Sequence, residues 1–173
     1  MSLDGFIAGP DDAMGWVFAY DDPNPVIGET ISSTGALLVG RRTFDAGRKP
    51  GQPEEATKPF GGAWSGPQFV LTHRPPAHEP DESITFLSGD IGAAVATARA
   101  AAAGRNVLVL GAQIARECLE AGLMDDILVL VAPILLGDGV RLFGVPPAPS
   151  VPLETVKVTQ AGQITNLYYR VPR

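Results

Sequence analysis

The sequence has one cysteine and two histidines among its 173 residues. A lone thiol, Cys118, closes no internal disulfide, so a reducing cytoplasm suits the chain. At its helical position Cys118 reads as a small core residue rather than a nucleophile. His73, His78 and Cys118 are the only soft donors, which argues against a structural or hydrolytic zinc site. The zinc deaminase signature, H-x-E followed by P-C-x-x-C, is missing. Missing too are the Walker pattern and G-x-G-x-x-G, so neither a standard nucleoside-triphosphate loop nor an ordinary Rossmann fold is expected. No charged leader with a following apolar stretch opens the chain, and no apolar run is long enough to span a bilayer. Basic charge is also short. The net charge of −6 argues against a general nucleic-acid or anionic-membrane binder, since both need a basic face.

What is present is an ordinary globular balance, 45% apolar and 18% charged, with enough chain to close a core as one domain. The stretch from Asn106 to Gly139 organises it. Val107 to Leu110 is a short apolar run ended by Gly111, and Ile114, Ala115, Cys118 and Leu119 then share one helical face. Gly122 supplies a helix stop. Ile127 to Leu136 is nearly unbroken hydrocarbon, expected as a second buried strand of a βαβ unit. The turn at Gly111-Ala112-Gln113 offers backbone N–H groups at a helix N-terminus, a natural seat for a phosphate.

The rest of the chain falls into order around that stretch. It opens on Ser2-Leu3-Asp4-Gly5, where a strand would ordinarily lead into such a turn. Either the first strand is very short or the natural chain starts earlier. Gly5, Gly9 and Pro10 mark a loop, Met14 and Trp16 follow as apolar anchors, and Tyr20-Asp21-Asp22-Pro23 makes a turn. Glu29 to Thr34 is a weak helix candidate and Ala36 to Val39 a short buried strand. Gly40-Arg41-Arg42-Thr43 closes that strand and opens a helix near Thr43. Gly47 to Gly66 reads as a long surface loop with Phe60 and Trp64 folded back into it. Gln68 to Thr72 and Ile84 to Leu87 are further strands. Asp90 is a plausible N-cap for a helix carrying Ile91, Ala94, Val95, Ala98 and Ala102, ended by Gly104. Leu153 to Thr159 and Ile164 to Val171 alternate about a Gly162 turn and predict a terminal hairpin.

Strands ending at Gly40, Thr72 and Gly111 would deliver their next residues to one carboxyl edge of a parallel sheet, where ligands bind in open α/β folds. Each loop alone is a routine strand-to-helix turn. Together, Gly40-Arg41-Arg42-Thr43, Thr72-His73-Arg74 and Gly111-Ala112-Gln113 favour a nucleotide with more than one phosphate. From Gly40 to Arg74 six cations (Arg41, Arg42, Arg48, Lys49, Lys58, Arg74) face three acids, Asp45, Glu54 and Glu55. That local excess is either surface scatter or an anion seat.

Four segments carry a family resemblance: SLDGFIAG at Ser2 to Gly9, LLVGRRTF at Leu37 to Phe44, VLTHR at Val70 to Arg74, and the long run from Leu108 to Phe143. In that order they resemble the dihydrofolate reductase superfamily. They are most similar to stand-alone proteins akin to the reductase domain of the bifunctional riboflavin-biosynthesis deaminase-reductase. The resemblance implies a three-layer α/β/α fold with a mixed, mostly parallel central sheet and a C-terminal antiparallel hairpin. It implies a homodimer and NADPH as hydride donor. Phe6 to Trp16, with Ala8 on the cofactor side, is similar to the loop covering the nicotinamide. Gly40, Arg41 and Thr43 would hold the pyrophosphate and adenylate side. Thr72, His73 and Arg74 would sit near the 2′-phosphate. Gly111, Ala112, Gln113 and Ile114 would pass under the pyrophosphate and nicotinamide, with Ala112 standing where the family more often has a second glycine.

The same resemblance marks Asp4 as the acid beside the substrate, to orient it or relay a proton. The plainer reading of Asp4 is that it stabilises its own turn. Asp21 lies near where dihydrofolate reductases carry their pterin-binding acid, although Pro23 and Pro25 follow it and favour a turn residue. Phe6 stands where reductases of the ribosylamino-pyrimidine phosphate typically carry a basic residue, and Leu135 and Gly137 would frame the far wall of the substrate pocket. The leading expectation is an NADPH-dependent reductase of a small heteroaromatic or pterin/folate-like compound. Alternatives are 5-amino-6-(5-phosphoribosylamino)uracil reductase and a non-catalytic dimeric nucleotide-binding protein. No metal, nucleic acid or membrane is expected as a partner.

Overall fold

The computed structural model describes residues 1–49, 57–79, 81–144 and 150–173. Within these, the elements in chain order are β1 (Phe6–Ala8), α1 (Pro25–Ser33), β2 (Thr34–Gly40), α2 (Arg41–Ala46), β3 (Gln68–Leu71) and β4 (Ile84–Leu87). Then come α3 (Ile91–Ala101), β5 (Asn106–Leu110), α4 (Ala112–Glu120), β6 (Asp126–Val131), β7 (Val140–Arg141), β8 (Glu154–Ala161) and β9 (Ile164–Arg170). They gather into two units, one of Gly28–Ala121 and one of Met1–Ile27 with Gly122–Arg173. The fold is α/β with a parallel central sheet and separate antiparallel strands.

In the Gly28–Ala121 unit the strands run β4-β3-β2-β5, every neighbour parallel. The run TGALLVG explains why β2 is central: all of it but Gly40 is buried, which requires cover on both faces. Leu37 and Val39 point into a cluster with Trp64, Ile31, Phe44, Phe60, Leu108 and Leu110. The Trp64 Nε1–H donates to the Thr34 carbonyl at 3.1 Å, so Trp64 and Phe60 do fold back from their loop as the sequence suggests. Residues 50–56 of that loop, with Glu54 and Glu55, lie outside the described residues. Alternation sends Ala36 and Leu38 to the opposite face, where α3 and α4 supply buried Ala94, Val95, Ala98, Ile114, Ala115 and Cys118. Asp90 caps α3 as predicted, accepting from the Ala93 N–H at 2.9 Å.

In the other unit β6, β9 and β8 form an antiparallel sheet in that order. The terminal hairpin is present, its strands meeting at Ala161 and Ile164 across Gly162, whose φ of +55° suits glycine. Asn166, buried in β9, exchanges amide hydrogen bonds with Asn24 at 2.8 and 3.2 Å and donates to Thr159 Oγ1 at 3.2 Å. A polar group this deep is tolerated because it is satisfied.

Three expectations change here. The strand expected over Ile127–Leu136 stops at Val131, because Pro133 has no N–H for a ladder and the Ile134 N–H turns back to the Ala132 carbonyl at 2.8 Å. It is also not the second strand of a parallel βαβ unit, since β6 pairs antiparallel with β9 while β5 pairs with β2. Met14, expected as an anchor, is exposed. Residues Gly15–Ala19 form a tight 3₁₀ turn, which puts side chains three apart on one face, and Met14 and Val17 both stay open at 46% and 38%. A two-residue strand that the sequence did not signal, β7, pairs Arg141 with Phe6 and Val140 with Ala8.

Candidate functional site

Because the central sheet is wholly parallel, Gly40, Thr72 and Gly111 lie together at the carboxyl ends of three adjacent strands, Gly40 as the last residue of β2 and the others just beyond β3 and β5. Two of these turns touch. Gly111 has φ +112° and ψ 138°, a conformation essentially reserved for glycine, and a Cβ placed there would meet Thr43 Oγ1 at 2.7 Å and the Gly40 nitrogen at 3.6 Å. Gly40 in turn lets Ile114 approach, a Cβ there lying 3.1 Å from Ile114 Cγ1. The glycines at these strand ends therefore serve close packing of one turn on the next. Helix α4 starts at Ala112 with no side chain capping it, so its first-turn N–H donors are open to a ligand. Gln113 is exposed and spends its amide on Glu117 Oε1 at 2.8 Å. The second expected helix start is weaker, since α2 has only six residues.

The third loop is tied to α2. Thr72 is buried and its Oγ1 accepts from the Arg74 N–H at 3.1 Å. The Arg74 carbonyl accepts from Arg41 Nη1, and Arg41 Nε donates to both carboxylate oxygens of Asp45 at 2.8 Å. His73 and the Arg74 guanidinium are exposed between these anchors, and that guanidinium has no partner among the described residues. The local cation excess is thus partly cancelled. Arg41 is paired with Asp45, and Arg48 with Glu79 at 2.7 Å. The sequence counts Asp45 among the three acids of this stretch, and its i,i+4 spacing from Arg41 suits the pairing.

The acid of the N-terminal turn sits in the other unit. Asp4 Oδ1 accepts from Ser2 Oγ at 2.6 Å and from the Leu136 N–H at 3.2 Å, and Oδ2 accepts from the Gly137 N–H at 2.8 Å. These donors, led by the Ser2 hydroxyl, lower its pKa from 3.8 to about 2. At neutral pH Asp4 is a carboxylate, able to orient a donor and holding no proton to give. Leu135 is exposed, and the Gly137 N–H is already used by Asp4. Phe6 is buried, with the Arg141 guanidinium 4.3 Å over its ring and Arg141 Nη1 donating to the Asp4 carbonyl at 2.8 Å. Arg141, 137 residues from Asp4 in sequence, could not be foreseen here. Ala8 is buried in β1, with Gly139 against its carbonyl. Asp21 is exposed in the turn before α1 and takes no part in the Asp4 cluster.

The lowered pKa fixes the direction of a pH effect. A carboxyl whose folded pKa lies below its unfolded value stabilises fully above the unfolded value and loses that contribution as pH falls through the folded one. Asp4→Asn is therefore expected to be less stable than the parent by a constant amount above pH 3.8, with the gap closing toward pH 2. Urea denaturation of both proteins between pH 2 and 7 checks this. A gap that does not shrink in acid would show that the carboxylate charge contributes nothing.

The residues at the sheet edge fit a phosphate-bearing dinucleotide. The Gly111 turn packs closely on Thr43, the adjoining α4 donors are uncapped, and an exposed guanidinium lies on a fixed loop. Among the described residues no group of three or more His, Cys, Asp or Glu side chains could hold a metal ion, and no helix is long and apolar enough to cross a membrane.

Comparison with known proteins agrees with this architecture. A provisionally named riboflavin biosynthesis protein from Shewanella sp. PV-4 superposes with a TM-score of 0.75 at 25% identity, covering 100% of this chain and 96% of that one. The Thermotoga maritima diaminohydroxyphosphoribosylaminopyrimidine deaminase/5-amino-6-(5-phosphoribosylamino)uracil reductase matches with a TM-score of 0.68 at 17% identity over 99% of this chain and 54% of that one. This chain thus spans about half the length of that bifunctional protein. An uncharacterised Bacillus subtilis protein, YwjB, is 25% identical over 146 residues, 83% of this chain and 78% of that one. The model of the RibD C-terminal domain matches residues 1–167. With nearly the whole sequence matched and the fold shared, this chain belongs to the RibD C-terminal domain family.

Proposed function

We propose that this protein is an NADPH-dependent reductase of a small heteroaromatic or pterin/folate-like compound. The observation that carries the reading is the Gly111 turn, where a glycine-only conformation opens an uncapped helix against Thr43. Family membership supports reductase chemistry. NADPH, when bound, supplies the hydride. The protein's share is then alignment. Gly40, Thr43 and the α4 donors at Ala112, Gln113 and Ile114 seat the pyrophosphate, and Thr72, His73 and Arg74 receive the 2′-phosphate, where a guanidinium suits a phosphate fork. Asp4 orients the substrate as a carboxylate, with Phe6, Leu135 and Gly137 on the substrate side. The protein works as a homodimer.

A second reading, 5-amino-6-(5-phosphoribosylamino)uracil reductase, is favoured by one contact. Arg141 lays a cation over Phe6 and so returns positive charge to a position where this chain carries an apolar side chain.

Fluorescence titration with NADPH and NADH is the decisive experiment. Saturable binding with NADPH preferred is expected, and Arg74→Ala should cut the preference about tenfold, the worth of one charge-assisted hydrogen bond set. Binding of neither cofactor would sink the reductase reading. With binding in hand, NADPH oxidation with dihydrofolate or with the pyrimidine phosphate separates the two substrates. Binding without turnover on any such compound would leave a nucleotide-binding protein.

A further inference from the structure

We propose that Asp45 and Arg41 are positioning residues: they fix the backbone of Arg74, and through it the exposed guanidinium that selects a phosphorylated cofactor. The inference rests on the nicotinamide-cofactor reading and assigns Arg41 a role other than direct contact with the pyrophosphate. Three observations carry it. Both oxygens of Asp45 share the Arg41 Nε–H, which anchors that end of the guanidinium. Arg41 Nη1 then reaches 33 residues along the chain to the Arg74 carbonyl. The Arg74 N–H is held from the other side by Thr72 Oγ1. Arg74 therefore has both backbone polar groups engaged, although the residues that follow it, from Pro75 to His78, are exposed. A loop residue pinned at N–H and C=O presents its side chain from a defined base, and less ordering remains to be done when an anion arrives.

Asp45→Asn separates this role from a direct one by the sign of its effect. If Arg41 gripped phosphate itself, removing the carboxylate that competes for it would tighten NADPH. If Asp45 and Arg41 act through Arg74, the same change loosens the loop and weakens NADPH alone. The expected result is a roughly three- to tenfold loss of NADPH-over-NADH preference, with NADH affinity unchanged. Arg41→Lys, which keeps the charge and loses the planar fork, should do the same. In an Arg74→Ala background neither change should have further effect, because the residues form one chain.

Amide hydrogen exchange at His73 and Arg74, measured without cofactor, should quicken in Asp45→Asn and reports the loosened backbone independently. Tighter NADPH binding, an unchanged preference, or equal loss of both cofactors in Asp45→Asn overturns the proposal, as does an effect that survives Arg74→Ala. Failure of the parent protein to bind either cofactor removes the reductase reading first, and this inference with it.

Discussion

Gly111→Ala is expected to lose NADPH and NADH together, at least tenfold each, whereas Arg74→Ala loses only the preference between them. The backbone at Gly111, φ +112° and ψ 138°, is strained for any L side chain by about 1–3 kcal/mol. The added methyl would also stand 2.7 Å from Thr43 Oγ1. Thr43 is exposed, so its side chain can rotate and relieve that contact. Rotation does nothing for φ. The turn itself must then move to a negative φ, and that movement re-aims the first N–H groups of α4, which are the donors proposed for the pyrophosphate. Since NADPH and NADH share the pyrophosphate, both suffer. Adding Thr43→Ala to Gly111→Ala removes the contact and leaves the strain, so it should restore folding stability in part and cofactor affinity very little. Titrations and urea denaturation on the same three proteins check this. Undiminished affinity for both cofactors in folded Gly111→Ala would take Gly111 out of the cofactor site.

How much of this was legible in the sequence depended on whether the signal was local. The strand, glycine turn and helix at 106–120, the Asp90 cap and the Gly162 hairpin were readable because each is set by residues within a few positions of one another. The convergence of Gly40, Thr72 and Gly111 followed from assuming a parallel sheet, and the β4-β3-β2-β5 order bears that out. Ile127 to Leu136 misled because a continuous apolar run fixes burial and leaves the partner strand undetermined. The pairing of β6 with β9 and the halt before Pro133 come from contacts and chemistry that periodicity does not encode. Partners distant in sequence were illegible for the same reason. Ser2, two residues from Asp4, was within reach, but the Leu136 and Gly137 donors that help lower its pKa lie more than a hundred residues away. Arg41 looked like a phosphate ligand on motif grounds, and only the position of the Arg74 carbonyl reveals the other use of its guanidinium.

A large effect on folding is expected at Gly35, a residue with no part in the proposed site. A Cβ on Gly35 would run into the Ala102 carbonyl oxygen, with Arg105 Cβ at 2.8 Å and Ala102 C at 2.9 Å. Most of that obstruction is backbone, so no rotamer clears it. Nor can β2 easily withdraw. Thr34 is buried, its Oγ1 donates to the Thr30 carbonyl at 2.7 Å, and its own carbonyl accepts from Trp64 Nε1 at 3.1 Å. The end of α3 is held as firmly, with Ala98 and Ala102 at 0% and 1% exposure. The carbonyl in the way already accepts from the Arg105 N–H at 3.0 Å, so pushing it aside also breaks the turn that leads into β5. Gly35→Ala should therefore cost roughly 3 kcal/mol, the upper end of ordinary overpacking, or more. Gly28→Ala is the matched control. Gly28 lies inside α1 with nothing within 4 Å of an added Cβ, and there the lower entropy of alanine should stabilise by about 0.5–1 kcal/mol. Urea denaturation of the pair separates steric cost from helix propensity. A Gly35→Ala protein as stable as the parent would mean that β2 and α3 can slide apart.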